Sequence, residues 1–411
     1  MVAPKLRFKE FDGDWTSKQL GKIIGISSAS RVFKEQWQDS GVPFFRTSDV
    51  VSIFKNKENE KAYISLELFE ELAKKSGKIK QGDLLVTGGG SIGIPYLVPN
   101  DQPLYFKDAD LLWMKSSGIV EGSFLYNFFI SPKFREYLKS ISHTGTISHF
   151  TIEQAKATPF GFPSKEEQTK IASFLSAVDE KISQLTQKHQ LLSQYKQGMM
   201  QKLFSQQLRF KADDGSEFGE WEEKILKDLF PKIRNGFVGV ATPYYVNYGV
   251  KYLQGKNIKN GKIDATGLIF INQEFHQKKT NSILKTNDIL MVQSGHVGEC
   301  AVVTEDYDNA NCHALLVLSP KSSKLINSKF VVYYFYSEIG KKKIALIKTG
   351  NTIEHILASD IKEVALLFPC LAEQTKIANF LSAIDQKIEV VAQQIEQAKT
   401  WKKGLLQQMF F

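Results

Sequence analysis

Cysteine is nearly absent from this 411-residue chain: Cys300, Cys312 and Cys370 are the whole supply, odd in number and without a CxxC pair. That excludes a disulfide framework and fits a reducing, cytoplasmic setting. His296 and His313 stand near the first two cysteines, but the spacing follows no zinc pattern, and no metal is expected. Arginine is scarce as well. Arg7, Arg31, Arg46, Arg135, Arg209 and Arg234 are the only ones among 53 basic residues, so few side chains are available for bidentate contact with guanine. No apolar run approaches the ~20 residues that a membrane span needs. The opening residues, MVAPKLRFKE, hold no signal-peptide core. The expectation is a soluble cytoplasmic protein with no membrane partner. Catalytic signatures are missing too: no N/D-P-P-Y/F or FxGxG motif, no Walker A loop, no P-D…(D/E)xK set. Asp179-Glu180-Lys181 and Asp385-Gln386-Lys387 contain a nuclease-like D-x-K triplet without an upstream acidic partner, and a solvated helix face is the expectation for both.

What remains is an ordinary globular composition, 42% hydrophobic and 24% charged. The length predicts two or three domains. A net charge of +9 suits a polyanion partner, and suits plain solubility equally well.

The dominant feature is a repeat. EQTKIASFLSAVDEKI begins at Glu167 and EQTKIANFLSAIDQKI at Glu373, identical at 13 of 16 positions with an offset of 206. Phe162-Pro163 and Phe368-Pro369, Trp15 and Trp221, Leu20 and Leu226, and His149 and His355 keep the same offset; Asp83, Gly90 and Gly93 match Asp288, Gly295 and Gly298 with a shift of one. The chain is a duplicated half in which one block has stayed nearly the same and the rest has diverged. The alike blocks suggest one task performed twice, and the diverged ones the same kind of task on two targets.

The alike blocks predict long helices. Ile171, Leu175, Val178, Ile182, Leu185, His189, Leu192, then Tyr195 or Lys196, Met199 and Leu203 step alternately by four and three, a heptad seam. Ile377, Leu381, Ile384, Ile388, Val391, Ile395, Ala398, then Trp401 or Lys402, Leu405 and Met409 repeat it. Each seam needs a partner, and a pseudo-two-fold duplication makes the other helix, running antiparallel, the simplest one. The diverged segments read as mixed α/β. Strands are predicted at Val42 to Phe45, Leu84 to Thr87, Val250 to Leu253 and Ile289 to Gln293. Helices are predicted after the caps Ser65 and Asn272, and over Ser123 to Leu138 and Ser328 to Ile347. Glycine-rich loops, TGGGSIGIP from Thr87 and QSGHVGECA from Gln293, follow two of these strands. They match no nucleotide fingerprint, so tight turns and close approach to a phosphate stay open as equals.

The duplicated FP…EQTKIA..FLSA.D.KI block, each copy closing a variable domain that opens with a W…L segment, resembles the specificity subunits of Type I restriction-modification enzymes. RTSDV at Arg46 with QGDLLVTGGGSIG at Gln81, and QGKNI at Gln254 with TNDILMVQSGHVG at Thr286, are similar to that family's target-recognition signatures. The similarity covers nearly the entire chain. It implies target-recognition domains over 1–160 and 208–366, and helical spacers over 161–207 and 367–411. The fold class expected is therefore α/β (α+β), two similar domains separated by an antiparallel pair of long helices. Each domain is expected to read one half of a split, asymmetric site in double-stranded DNA. The helices are expected to dock two methyltransferase subunits, with restriction/motor subunits joining the complex. The chain itself is expected to be non-catalytic and cofactor-free, with S-adenosylmethionine, ATP and Mg²⁺ belonging to the partners.

The residues expected at DNA are Arg46, Thr47, Ser48, Gly89, Gly90, Ser91, Thr144, Thr146 and His149 in the first half. In the second they are Gln254, Lys256, Asn257, Ser294, His296, Thr349, Asn351 and His355. Arg46 suits guanine, Gln254 or Asn257 suits adenine, and lysines and hydroxyls suit phosphate. For methyltransferase docking, Gln168, Lys170, Gln374 and Lys376 are expected as exposed helix positions. The competing function is a non-enzymatic protein that bridges partners through a coiled coil.

Overall fold

The duplication is reproduced strand by strand in the computed structural model, which describes residues 3–107, 110–116, 118–141, 149–350 and 354–410. The chain divides into two units, Met1–Thr186 with Gln393–Phe411, and Gln187–Ala392. In the first, Thr16–Gln19 pairs antiparallel with Pro159–Phe162, and an antiparallel sheet runs Ile26–Ser27, Leu111–Met114, Leu84–Thr87, Pro95–Leu97. A second sheet runs Ala62–Ile64, Val42–Phe45, Tyr105–Phe106, its last pair parallel. The second unit repeats this order with one strand added, Tyr245–Val246. Glu222–Ile225 pairs with Ala365–Phe368, and one sheet runs Lys232–Asn235, Leu315–Ser319, Ile289–Val292, Cys300–Val302. The other runs Tyr245–Val246, Ile269–Ile271, Val250–Leu253, Asn311–Cys312, again ending on a parallel pair. Among the described residues, the hairpin Ile258–Lys259 with Lys262–Ile263 belongs to the second unit alone.

Central strands are apolar throughout because both faces are covered. Leu84 and Val86 enter the core that holds Phe124 and Phe128, while Leu85 faces Val50, Phe106 and Trp113. The alternation follows from the period of two along a strand. Ile289 and Met291 against Leu290 and Val292 divide in the same way.

The predicted caps are in place: Ser65 accepts from the Leu68 amide at 3.1 Å, and Asn272 accepts from the Phe275 amide at 2.9 Å. The two longer domain helices are each broken in two. Gly122–Ile130 is followed by Pro132–Ser140, and Ser328–Tyr336 by Glu338–Leu346. Pro132 bars the residue before it from helical geometry, so Ser131 becomes the cap of a new helix. In the second copy Ser337 does the same without a proline. The two helices approach so closely there that a Cβ on Gly340 would stand 2.0 Å from the Tyr334 carbonyl oxygen.

The long helices are Lys165–Phe204 and Leu371–Met409, each contributing to both units. Ile171, Leu175, Val178, Leu185 and Leu203 are buried, as are Ile377, Leu381, Ile384, Val391, Ile395, Leu405 and Met409, so the seams predicted from spacing are the faces that leave water. Each such side chain contributes about 1.5–3 kcal/mol. The ambiguous seam positions resolve as Lys196 and Lys402, while Tyr195 and Trp401 are exposed. Within the first unit Lys402 pairs with Asp179 at 2.6 Å, and within the second Lys196 pairs with Asp385 at 2.6 Å. Residues early in one helix therefore meet residues late in the other. Asp179 and Asp385 lie at this seam as ion-pair partners, not on a merely solvated face.

Candidate nucleic-acid interface

In each unit the loops of interest leave the sheets from the same strand ends. In the first, Val42–Phe45 runs into Arg46, Leu84–Thr87 into the glycine-rich loop, and Tyr105–Phe106 into Lys107. Backbone bonds lace these exits together. The Lys107 amide donates to Phe45 at 2.8 Å, the Gly88 amide to Asp110 at 2.8 Å, and the Phe150 amide to Gly88 at 2.7 Å. The Thr47 hydroxyl donates to the Asp110 carbonyl at 3.4 Å, and Gly89 bridges to His149. Thr47, Gly89, Gly90, Ser91 and His149 are thus brought to one place.

The glycine-rich loop is also a tight turn. Thr87 donates its hydroxyl to the Ser91 carbonyl and accepts from the Ile94 amide. Gly90 and Gly93 have φ of +68° and +69°, and a Cβ on Gly93 would lie 2.6 Å from Leu138. The tight turn is thus what the loop forms, and its braced base leaves Gly90 and Ser91 exposed.

The second unit carries the equivalent cluster with other side chains. Ser294 and Thr349 both bridge to His355, and the Ile356 amide donates to Gln293 at 3.0 Å. Gly255 lies against Val292, the residue before the glycine-rich loop. The His313 amide donates to Leu253 at 2.8 Å, and its ring nitrogen bonds the Tyr252 hydroxyl at 3.0 Å. Burial lowers the His313 pKa and pushes the neighbouring Cys312 thiol up to about 12, so neither favours its charged form there. Ser294, His296, Lys256, Thr349 and His355 are exposed. Thr144, Thr146 and Asn351 lie outside the described residues.

Four expectations need correction, those for Gly89, Asn257, Gln168 and Gln374; Gly89 is buried at the base of its loop. Asn257 is fully buried: it accepts from the Gln254 amide at 3.0 Å and donates to the Asp264 carbonyl at 2.9 Å, so it is a structural cap and not a base reader. Its counterpart, buried Asp49, accepts from the Arg46 amide at 2.8 Å. A polar residue three positions after the turn residue is the capping-box signal that separates this role from a contact role. Asn257→Ala should cost about 1–2 kcal/mol in chemical denaturation. Arg46 is held in the free chain by Asp49 at 2.9 Å and by the Glu60 carbonyl, with Trp37 beneath it, so reading guanine would require release of that pair. Gln254 gives one amide hydrogen to the Tyr245 hydroxyl at 3.1 Å and retains its other donor.

Gln168 and Gln374, expected on exposed helix faces, are each 1% exposed. Gln168 donates to the carbonyls of Ile119 and Pro163, both at 3.0 Å, and accepts from the Glu121 amide. Gln374 donates likewise to Leu325 and Pro369 and accepts from Asn327. They anchor each long helix to its domain and have no free face. Lys170 and Lys376 do reach solvent, paired with Glu10 at 3.3 Å and Asp213 at 2.6 Å. Beside each buried glutamine stands a group that spacing alone did not reveal. Glu167 receives Arg7 through two bonds of 2.7 Å and the Trp15 indole at 3.3 Å; Glu373 receives Arg209 at 3.1 and 2.8 Å and the Trp221 indole at 3.0 Å. The shared offset of Trp15/Trp221 and Glu167/Glu373 was the available signal.

Residues 12–194 and 219–400 both match the model of a family described as the Type I restriction modification DNA specificity domain. Among similar proteins, the putative type I restriction enzyme MjaX specificity subunit of Methanocaldococcus jannaschii is 26% identical over 98% of this chain and 94% of its own length. The MjaVIII specificity subunit of the same organism is 28% identical over 69% and 68%. Among solved structures, the S subunit of a Type-I restriction-modification system from M. genitalium has the same fold, with a TM-score of 0.59 at 16% identity over 100% of this chain and 99% of that one. Among the described residues, no helix is long and apolar enough to cross a membrane.

Proposed function

The chain belongs to the Type I restriction modification DNA specificity family, one family domain in each half, and from that premise we propose that it reads a split DNA site with one half-site per domain. The observation that carries this reading is the repeated loop cluster. The same loops carry Arg46, Thr47, Ser48, Gly90, Ser91 and His149 in one half, and Gln254, Lys256, Ser294, His296, Thr349 and His355 in the other. A shared frame with largely different tips suits two different half-sites and hence an asymmetric sequence. The recognition domains cover 1–160 and 208–366, and the helical spacers 161–207 and 367–411. Lysines and hydroxyls at the tips hold phosphate, while Arg46 and Gln254 approach base edges.

The chain supplies recognition and no catalysis. Two methyltransferase subunits dock on the helical spacers, with exposed Lys170 and half-buried Lys376 among the contacts, and restriction/motor subunits complete the complex. S-adenosylmethionine, ATP and Mg²⁺ act in those partners.

The test is co-expression with the methyltransferase and motor subunits, followed by mapping of methylated adenines in host DNA. A single split, asymmetric motif that disappears when this gene is deleted is the expected result. Binding to that site should weaken steeply with salt, in proportion to the phosphates neutralised. No motif despite an active methyltransferase would shift the assignment to a protein that bridges partners.

A further inference from the structure

Lys232–Asn235 ends on the same side of its sheet as the second glycine-rich loop, for Asn235 stands beside Leu316 while Val292 stands beside Leu315. The chain then turns through Gly236–Ala241. Both ends of this turn are fixed. The Gly236 amide donates to Leu315 at 2.7 Å and the Phe237 amide to Cys312 at 2.9 Å, and the Ala314 amide donates back to Phe237 at 2.9 Å. A Cβ on Gly236 would meet the Cys312 sulfur at 2.6 Å, so only glycine allows this approach. At the other end Ala241 is buried with Tyr252, Ile271 and Phe275. Between the two anchors Val238 and Val240 are 66% and 75% exposed.

Two stiff apolar side chains are therefore held out among loops that otherwise present glycine, serine, histidine and lysine. The Lys279 ammonium lies 5.0 Å from the centre of the Phe237 ring, which places a cation beside the apolar tip. Valine loses little rotamer freedom on contact, and the one apolar group on a major-groove base edge is the thymine C5-methyl. In the first unit the strand Ile26–Ser27 leads instead into Ser28, Ala29, Ser30 and Arg31, followed by buried Val32 and by Phe33 at 55% exposed, so the apolar group offered there is one aromatic ring and not a pair of valines.

We propose that Val238 and Val240 are specificity-determining residues that read thymine methyl groups in the half-site bound by the second domain. This rests on the DNA-reading assignment, and the experiment separates the two. The complex of the chain with its methyltransferase subunits is titrated with its own site, then with sites in which each thymine of one half-site is replaced in turn by uracil, which pairs identically but lacks the methyl. Uracil at one or more positions of the second half-site should weaken wild-type binding about 3- to 10-fold, the range expected for one or two lost methyl contacts. The Val238→Ser/Val240→Ser complex should bind thymine and uracil sites alike there, and retain wild-type behaviour at the first half-site. The inference is overturned if wild-type binding ignores every uracil in the second half-site, or if the variant discriminates as the wild type does. It is also overturned if the variant loses methyltransferase assembly in place of methyl discrimination, which would make the turn a protein contact. Should the wild-type complex prefer no site at all, the DNA-reading assignment itself falls at the first titration, before any uracil is introduced.

Discussion

Glu167→Ala should cost about 3–5 kcal/mol and loosen the first unit, while Glu373→Ala should do the same to the second. Each carboxylate is at most 1% exposed and serves an arginine and an indole at once. Removing it leaves a guanidinium and a buried N–H without their partner, and breaking a buried pair from one side is far costlier than never having built it. The effect should be local, because Arg7, Trp15 and Glu167 lie in one unit and Arg209, Trp221 and Glu373 in the other. Hydrogen exchange resolves this where a single unfolding curve would not. Amides around Trp15 should lose protection in the first variant and amides around Trp221 in the second. Glu167→Gln should fall between, keeping one acceptor oxygen and losing the charge. A loss below about 1 kcal/mol for both alanine variants, or equal loosening of both units by either one, would remove these clusters from the account of how the domains are tied to their helices.

The near-identity of the EQTKIA blocks has this physical cause. Glu167 and Gln168, like Glu373 and Gln374, are consumed inside the protein, and a position that satisfies several buried donors and acceptors tolerates little change. From the sequence the blocks were legible as helices, and their apolar seams as buried faces, because a heptad step is a local property. The fate of the polar residues was not legible, since it depends on partners such as Arg7, which lies 160 positions from Glu167. Polar residues on a helix look exposed until something distant covers them. Asn257 failed for a more local reason. Its capping role repeats that of Asp49, but the chemistry that suits a cap also suits an adenine edge. The predicted helix over Ser123 to Leu138 ran through Pro132 because the apolar spacing continues across the break. Val238 and Val240 passed unnoticed because an exposed valine is ordinary in composition and unusual only in place.

Exchanging the first recognition domain for one from another family member should replace one half-site outright and leave the other half-site and the spacing between them unchanged. The hydrogen bonds dictate where the exchange must be cut. Thr16–Gln19 and Pro159–Phe162 form one ladder, and Trp15 and Arg7 are bound to Glu167, so a cut at residue 160 would sever the host's own framework. Junctions after Gln19 and after Thr158 keep the ladder and both partners of Glu167 with the host helix. The Leu20 amide, which donates to Thr158 at 2.9 Å, then travels with the insert. Specific sites are preferred over random DNA by about 10³–10⁷. Affinity for the original sequence should therefore drop by about 10³ or more, while the methylation map shows a new first half joined to the old second half. The reciprocal exchange, cut after Ile225 and Val364 beside the matching ladder, should change the second half alone. Two altered half-sites from either exchange would mean that the units do not read independently, and the divergence of the two loop clusters would need another cause. An altered spacing with both half-sites intact would instead assign spacing to the domains and not to Lys165–Phe204 and Leu371–Met409, the segments in which the two halves are most alike.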